Sequence, residues 1–224
     1  MSIKKPANIP FAFQPIYETK GSEKLFGYEA LMRPENYDTP GEYIKHMQDN
    51  GKLHQLEFET FYNAISQFRD RKLDGNLFIN SFPYEFLTSD ELDYLKNMSP
   101  DVFKSIYVES LEYGDRIDII KLLAKFETLK KQGFHIVVDD FGTGLNSVPT
   151  VKALGPCIIK IDNSFIKDCT KTKKGRNTVE IIMDCIRANG AKVLAEGVET
   201  YDEYYFLRFL GVDYMQGYYL GRPG

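Results

Sequence analysis

Residues 11–32 read FAFQPIYETKGSEKLFGYEALM. Two apolar and aromatic runs, 11–18 and 25–32, are separated only by TKGSE at 19–23. Parallel neighbours in a sheet need a crossover of about a dozen residues or more, which this linker cannot supply. Gly21-Ser22 instead reads as the turn of a hairpin, so the first strand is expected to run antiparallel to the second.

Beyond residue 32 the pattern changes. Strand-like runs recur at 76–82 (NLFINSF), 105–110 (SIYVES), 135–141 (HIVVDDF), 158–162 (IIKID), 192–198 (KVLAEGV) and 214–220 (YMQGYYL). Amphipathic segments lie between them. Ile119, Leu122, Phe126 and Leu129 share one helical face, as do Val179, Ile182, Met183 and Ile186. Ser89 or Asp90 is placed to cap a helix through ELDYLKNM, while Gly133 and Gly190 stand where helices would stop. Eight strands alternating with helices predict an α/β fold, a TIM-like (β/α)8 barrel whose first strand is antiparallel. The chain of 224 residues is read as a single barrel domain over 1–224. It stops just after the eighth strand, without the final helix that a full barrel normally adds.

Composition narrows the class. With 43% hydrophobic residues the chain can bury a sizeable core, and a net charge of −4 argues against a nucleic-acid polymer as partner. Lys171, Lys173, Lys174 and Arg176 read as a solvated loop. Cys157, Cys169 and Cys185 form no CxxC pair, which suits reduced thiols in a cytosolic protein. His46, His54 and His135 lack metal-site spacing. There is no signal-like segment and no run long enough for membrane insertion, so a soluble cytoplasmic chain is expected. Phe11, Phe13, Phe78 and Phe82 read as core and rim packing. Tyr204, Tyr205, Phe206 and Phe209 are expected to pack the last helix onto the barrel.

Polar residues inside the strands carry the functional signal. Side chains at i, i+2 and i+4 of a strand face one way, so Glu29, Leu31 and Arg33 share a face. One reading of that trio is an internal Glu29–Arg33 salt bridge. Gln14, Asn80, Glu109, Asp139, Lys160, Glu196 and Gln216 extend the pattern, one per strand at a similar height, and barrel active sites gather at the C-terminal mouth. Five acids (Glu29, Glu109, Asp139, Asp140, Glu196) against two bases (Arg33, Lys160) leave −3 there. Converging carboxylates must take up protons or bind cations, and an oxygen-only set favours Mg²⁺ or Mn²⁺ over zinc. Asp139 would face inward and Asp140 outward, with Gly142 letting the chain bend so that both reach the mouth. Asp139 could then bridge two ions about 4 Å apart, which suits in-line displacement at phosphorus. Arg33 would hold a phosphate oxygen, and Lys160 would orient the attacking water or help to deprotonate it.

These motifs resemble the EAL domain family, bacterial phosphodiesterases that open the ring of cyclic di-GMP. The defining triplet is Glu29-Ala30-Leu31 within GYEALMRP. Further matches are FQPI at 13–16, FINSF at 78–82, ESLE at 109–112, DDFGTG at 139–144, IKID at 159–162, AEGVET at 195–200 and QGYYLGRP at 216–223. The resemblance implies a barrel with an inverted first strand, in agreement with the hairpin above. It implies that Glu29, Asn80, Glu109 and Asp139 ligate the metals, that Asp140 and Glu196 serve the second ion and its water, and that Lys160 contacts the nucleophilic water. Gln14, Leu31, Arg33 and Gln216 would line the substrate and water network. Glu112 would prop the loop after the DDF strand, and Glu199 would support the site. A homodimer through that loop is also implied.

Two departures stand out. Leu145-Asn146-Ser147 replaces the family's common Tyr-Ser-Ser, and Ser110-Leu111 replaces its usual Ile-Thr; both fall on or near the loop that couples dimerisation to activity. The leading expectation is a metal-dependent phosphodiesterase converting cyclic di-GMP to linear pGpG by a two-metal mechanism. The alternatives are a catalytically weak or inactive domain acting as a cyclic di-GMP receptor or protein-interaction module, and a barrel of this kind with a sugar-phosphate substrate.

Overall fold

The computed structural model describes residues 6–110, 118–141 and 152–224, apart from the side chains of Ser110, Ile119, Asp140, Phe141 and Asp168. The chain begins with the hairpin read from its sequence. β1 (Phe11–Glu18) pairs antiparallel with β2 (Lys24–Met32), Gln14 opposite Glu29, with a bulge between Ile16 and Tyr17. β3 (Asn76–Ser81), β4 (Ile106–Ser110), β5 (His135–Phe141), β6 (Ile158–Ile161), β7 (Lys192–Ala195) and β8 (Tyr214–Gln216) follow in order, each parallel to the strand before it. β8 returns antiparallel to β1, Ile16 opposite Gln216, which closes the barrel. Beyond β8 the chain turns back along β1, where Gly224 and Phe13 exchange both backbone hydrogen bonds (2.9 and 3.2 Å).

Helices supply the parallel crossovers: α1 (Pro40–Asp49) and α2 (Leu53–Asp70), α3 (Ser89–Met98) and α4 (Pro100–Phe103), α5 (Ile119–Lys131), α6 (Asn163–Cys169) and α7 (Lys173–Ala188), and α8 (Tyr201–Phe209). None of the described helices is long and apolar enough to cross a membrane. α5 and α7 bury the faces expected of them, through Leu122, Phe126 and Leu129 and through Val179, Met183 and Ile186. Gln132 and Asn189 cap these two helices, and Gly133 and Gly190 follow. The cap of α3 lies one residue earlier than expected. Thr88 Oγ1 accepts from Glu91 N (3.3 Å) and Glu91 Oε2 accepts from Thr88 N (2.7 Å), a reciprocal box that neither Ser89 nor Asp90 could close at that spacing.

Strand alternation sorts the barrel into two cores. Outward residues such as Leu77, Val108, Ile136, Ile159 and Val193 join the helices in one large apolar cluster. Ile16, Phe78, Val137, Ile158, Leu194 and Tyr214 form a separate cluster inside the barrel. Each inner residue sits two positions from a polar one on the same strand face: Gln14, Asn80, Asp139, Lys160, Glu196 and Gln216, in that order. The interior is therefore an apolar floor beneath a polar ring. Stacked rings tighten the floor, Phe78 on Tyr107 (centroids 4.6 Å apart) and Phe26 on Tyr214 (4.1 Å).

β3, β4 and β6 are one residue shorter than the runs read from the sequence. Two strands fall well short of theirs, β7 ending at Ala195 and β8 at Gln216. Glycines end them. Gly197 has φ +61°, and a β-carbon there would lie 2.6 Å from Asn163 Cβ. A β-carbon on Gly217 would lie 2.1 Å from the Val198 carbonyl oxygen, so the segments after β7 and β8 cross with backbones in direct contact. The aromatic packing of α8 also departs from expectation. Tyr204 is buried, but Tyr205 and Phe209 face solvent, because only one side of so short a helix meets the barrel.

Candidate active site

Eight strands deliver the polar ring to one mouth. Lys160, 1% exposed, stands at its centre. Its ammonium lies 3.0 Å from Glu109 Oε2, 3.4 Å from Asp139 Oδ2 and 3.7 Å from Glu29 Oε2, with Glu196 Oε1 closer still. Glu29 is held from two further sides. Asn80 donates to its Oε1 at 3.2 Å and Gln216 to its Oε2 at 2.7 Å. Gln216 also reaches Gln14 Oε1 (3.1 Å), and Gln14 donates to the Gly221 carbonyl (3.1 Å). Strand register explains the convergence, since Gln14 pairs with Glu29 and Asn80 with Glu109.

Four acids on one ammonium cannot all be comfortable as anions. Burial pushes Glu109 well above the usual carboxylate range, and Glu29, Asp139 and Glu196 add to the push while Lys160 opposes it. Burial likewise lifts Glu196, to about 8, against the pull of Lys160. Glu29 goes the other way. Burial would raise it, but Lys160 and the donors Gln216 and Asn80 hold it below its ordinary value. Lys160 loses hydration on burial, yet Asp139, Glu109, Glu196 and Glu29 more than offset that loss and keep it charged.

The other expected residues fall around this centre. A cavity of about 310 Å³ opens above it, lined by Gln14, Glu29, Asp139, Lys160, Glu196 and Gln216 among others. Leu31 and Arg33 line a neighbouring, more apolar cavity of about 140 Å³ that shares Asn80 with the ring. Arg33 Nη1 donates to the Met32 carbonyl (2.9 Å), and the cation paired with Glu29 is Lys160, so the internal Glu29–Arg33 bridge is not formed. Glu199 lines the mouth and pairs with Lys167 on α6 at 3.6 Å. The Asp140 side chain, Glu112, Gly142, Gly144, Leu145 and Asn146 lie outside the described residues. Asp162, Asn163 and Tyr218 line the same mouth and were not singled out from sequence. Asp162 had a signal, two positions past Lys160 and so on its strand face.

The EAL domain model matches residues 5–223. The chain belongs to the EAL domain family. A bifunctional diguanylate cyclase/cyclic di-GMP phosphodiesterase, MucR of Pseudomonas aeruginosa, is 30% identical over 89% of this chain and 31% of its own length. PdeI of Escherichia coli, a probable cyclic di-GMP phosphodiesterase, is 32% identical over 94% of this chain and 28% of its own length. This EAL chain thus spans less than a third of either relative. Among solved structures, the MucR phosphodiesterase in complex with c-di-GMP superposes with a TM-score of 0.80 at 29% identity, covering 97% of each chain. A standalone EAL protein from Vibrio cholerae reaches 0.84 at 24% identity, covering 97% of this chain and 92% of its own, and shares the fold.

Around the Lys160 ammonium, no three of the described acidic, histidine or cysteine side chains converge closely enough to hold one ion. The donor chemistry nevertheless fits a hard cation. Every candidate ligand is an oxygen, and buried Glu109 Oε1 has no hydrogen-bond partner among the described residues.

Proposed function

We propose that this EAL barrel, read as one domain over 1–224, hydrolyses cyclic di-GMP to linear pGpG. The observation that carries the reading is the convergence of Glu29, Glu109, Asp139 and Glu196 on Lys160 at the barrel mouth, with Asn80 and Gln216 fixing Glu29. Family membership and the named activities of MucR and PdeI support it.

Glu29, Asn80, Glu109 and Asp139, with Asp140 and Glu196 at a second position, would hold two Mg²⁺ or Mn²⁺ ions. When bound, such a pair polarises phosphoryl oxygens and offsets charge on the attacking and leaving oxygens. The chain's own groups do the rest. Lys160, whose ammonium lies 3.0 Å from Glu109 Oε2 and 3.4 Å from Asp139 Oδ2, would orient the attacking water or help to deprotonate it. Glu196 sits against that ammonium at the rim, where a carboxylate can take the water's proton. The water oxygen joins phosphorus, one ester P–O bond breaks and the leaving oxygen regains a proton, so one water is consumed per ring opened. Arg33 and Leu31, which line the adjoining cavity, would hold a phosphate oxygen and the flank of the nucleotide. Gln14 and Gln216 would order the polar side and Glu199 would support the site, while the role carried over to Glu112 by the family resemblance is to prop the loop after the DDF strand. A homodimer working in the cytoplasm completes the reading.

The test is incubation of the purified chain with cyclic di-GMP and Mg²⁺ or Mn²⁺, with chromatography for pGpG. Turnover that disappears in Glu29→Ala supports the assignment. Binding without turnover under both metals leaves a receptor in its place.

A further inference from the structure

We propose that Glu57, Ser81 and Lys125 form a positioning network that fixes the end of β3 and thereby aims the Asn80 carboxamide into the site. The inference rests on the reading of Asn80 as a functional ligand. None of the three residues touches the mouth. Glu57 lies on α2, Lys125 on α5 and Ser81 at the end of β3, and all are at most 2% exposed.

Hydrogen bonds run among the three side chains and to the backbone N–H and carbonyl of one residue, Phe82. Lys125 Nζ lies 2.9 Å from Glu57 Oε1 and 2.6 Å from Ser81 Oγ, and it also donates to the Phe82 carbonyl, which uses all three of its protons. The Ser81 hydroxyl donates to Glu57 Oε1, and the Phe82 N–H donates to Glu57 Oε2 at 3.0 Å. The Phe82 carbonyl takes the Glu85 N–H as well (3.4 Å).

Location gives the network its meaning. Pairing of β3 with β2 ends at Ile79, and with β4 at Ser81. Asn80 therefore stands where the ladder has lost one side, one residue before it loses the other. Neighbouring strand residues point to opposite faces, so anchoring Ser81 outward holds Asn80 inward. There its amide lies 3.2 Å from Glu29 Oε1. A buried ion pair is a poor source of stability, because apolar groups of similar shape often hold a fold equally well. A fully satisfied polar network does confer rigidity, and functional groups need backing of that kind.

The double variant Glu57→Gln/Lys125→Met replaces the ion pair without leaving a lone buried charge, and Ser81→Ala removes one hydroxyl. Both are compared with the parent by thermal melting, by the Asn80 side-chain amide resonance in ¹⁵N-labelled metal-free protein (assigned with Asn80→Asp), and by Mn²⁺ titration calorimetry without substrate. The expected result is a folded double variant whose Asn80 resonance shifts or broadens and whose Mn²⁺ affinity falls about 10–100-fold, with kcat reduced and KM little changed. Should the double variant fail to fold, Ser81→Ala decides through the same readouts. A folded variant with parental Asn80 resonance and Mn²⁺ affinity overturns the proposal. If the parent itself shows no turnover, the hydrolase reading fails, while the Asn80 resonance, recorded without metal or substrate, still decides the positioning claim.

Discussion

Gln216 Nε2 lies 2.7 Å from Glu29 Oε2, although their strands are not neighbours and β1 stands between them. The bond spans the seam created by the inverted first strand and, after the Lys160 charge, helps to hold the Glu29 carboxyl below its ordinary value. Replacing Gln216 with alanine removes that donor and the link to Gln14 while sparing the carboxylates. Turnover of cyclic di-GMP should fall about 10–100-fold, the range expected when a ligand loses its supporting partner. Steady-state kinetics at saturating Mn²⁺ check this, and parental kcat/KM would remove Gln216 from the site.

Lys160 answers four acids at once. Lys160→Met strands them in a buried setting, so the variant should lose about 3–5 kcal/mol of stability in EDTA-treated buffer, the cost of breaking a buried pair from one side. Added Mg²⁺ or Mn²⁺ should recover much of that loss while turnover stays absent. Melting curves with and without each ion measure both parts. A variant as stable as the parent without metal would show that the acids do not depend on the ammonium.

The Cys157 thiol, beneath the apolar floor, donates to the Ile136 carbonyl (3.1 Å), and burial pushes it up to about 11. The unfolded chain releases this proton near the ordinary value of 9.0. The contribution to stability is thus complete below pH 9 and is lost as pH rises through 11, amounting to at most about 2–3 kcal/mol. Denaturant melts from pH 8 to 11 should fall more steeply for the parent than for Cys157→Ala. Alkylation of Cys157 by iodoacetamide at pH 8 should also be slow until the protein unfolds.

Gly217 lets two chain segments touch. In Gly217→Ala the new methyl group would meet the Val198 backbone, whose nitrogen and carbonyl oxygen lie 2.3 and 2.1 Å from the added carbon. Backbone must move, at a cost of at least about 1–3 kcal/mol. Because the shift falls beside Gln216, kcat/KM should drop along with the melting temperature. An unchanged melting temperature would contradict the packing described.

The hairpin, the eight strands and the polar ring were legible because each depends on local pattern. A five-residue linker excludes a crossover, and alternation assigns Glu29, Asn80, Glu109 and Lys160 to one face. Partners were not legible. Alternation says that Glu29 points inward but not whether Arg33, four residues away, or Lys160, on a distant strand, supplies its cation. Glu57 and Lys125 lie 68 residues apart on two amphipathic helices, and no periodicity announces that they meet. The direction of Tyr205 and Phe209 escaped for a related reason, since aromatic content does not tell which side of a short helix finds the barrel.

The floor of stacked rings under the carboxylates has one more consequence. Among the described residues it closes the barrel beneath the carboxylates, and the cavity above opens beside Gln216 and Tyr218. Product held at that threshold would obstruct the next substrate, so the accumulating linear dinucleotide should act as a competitive inhibitor in progress curves.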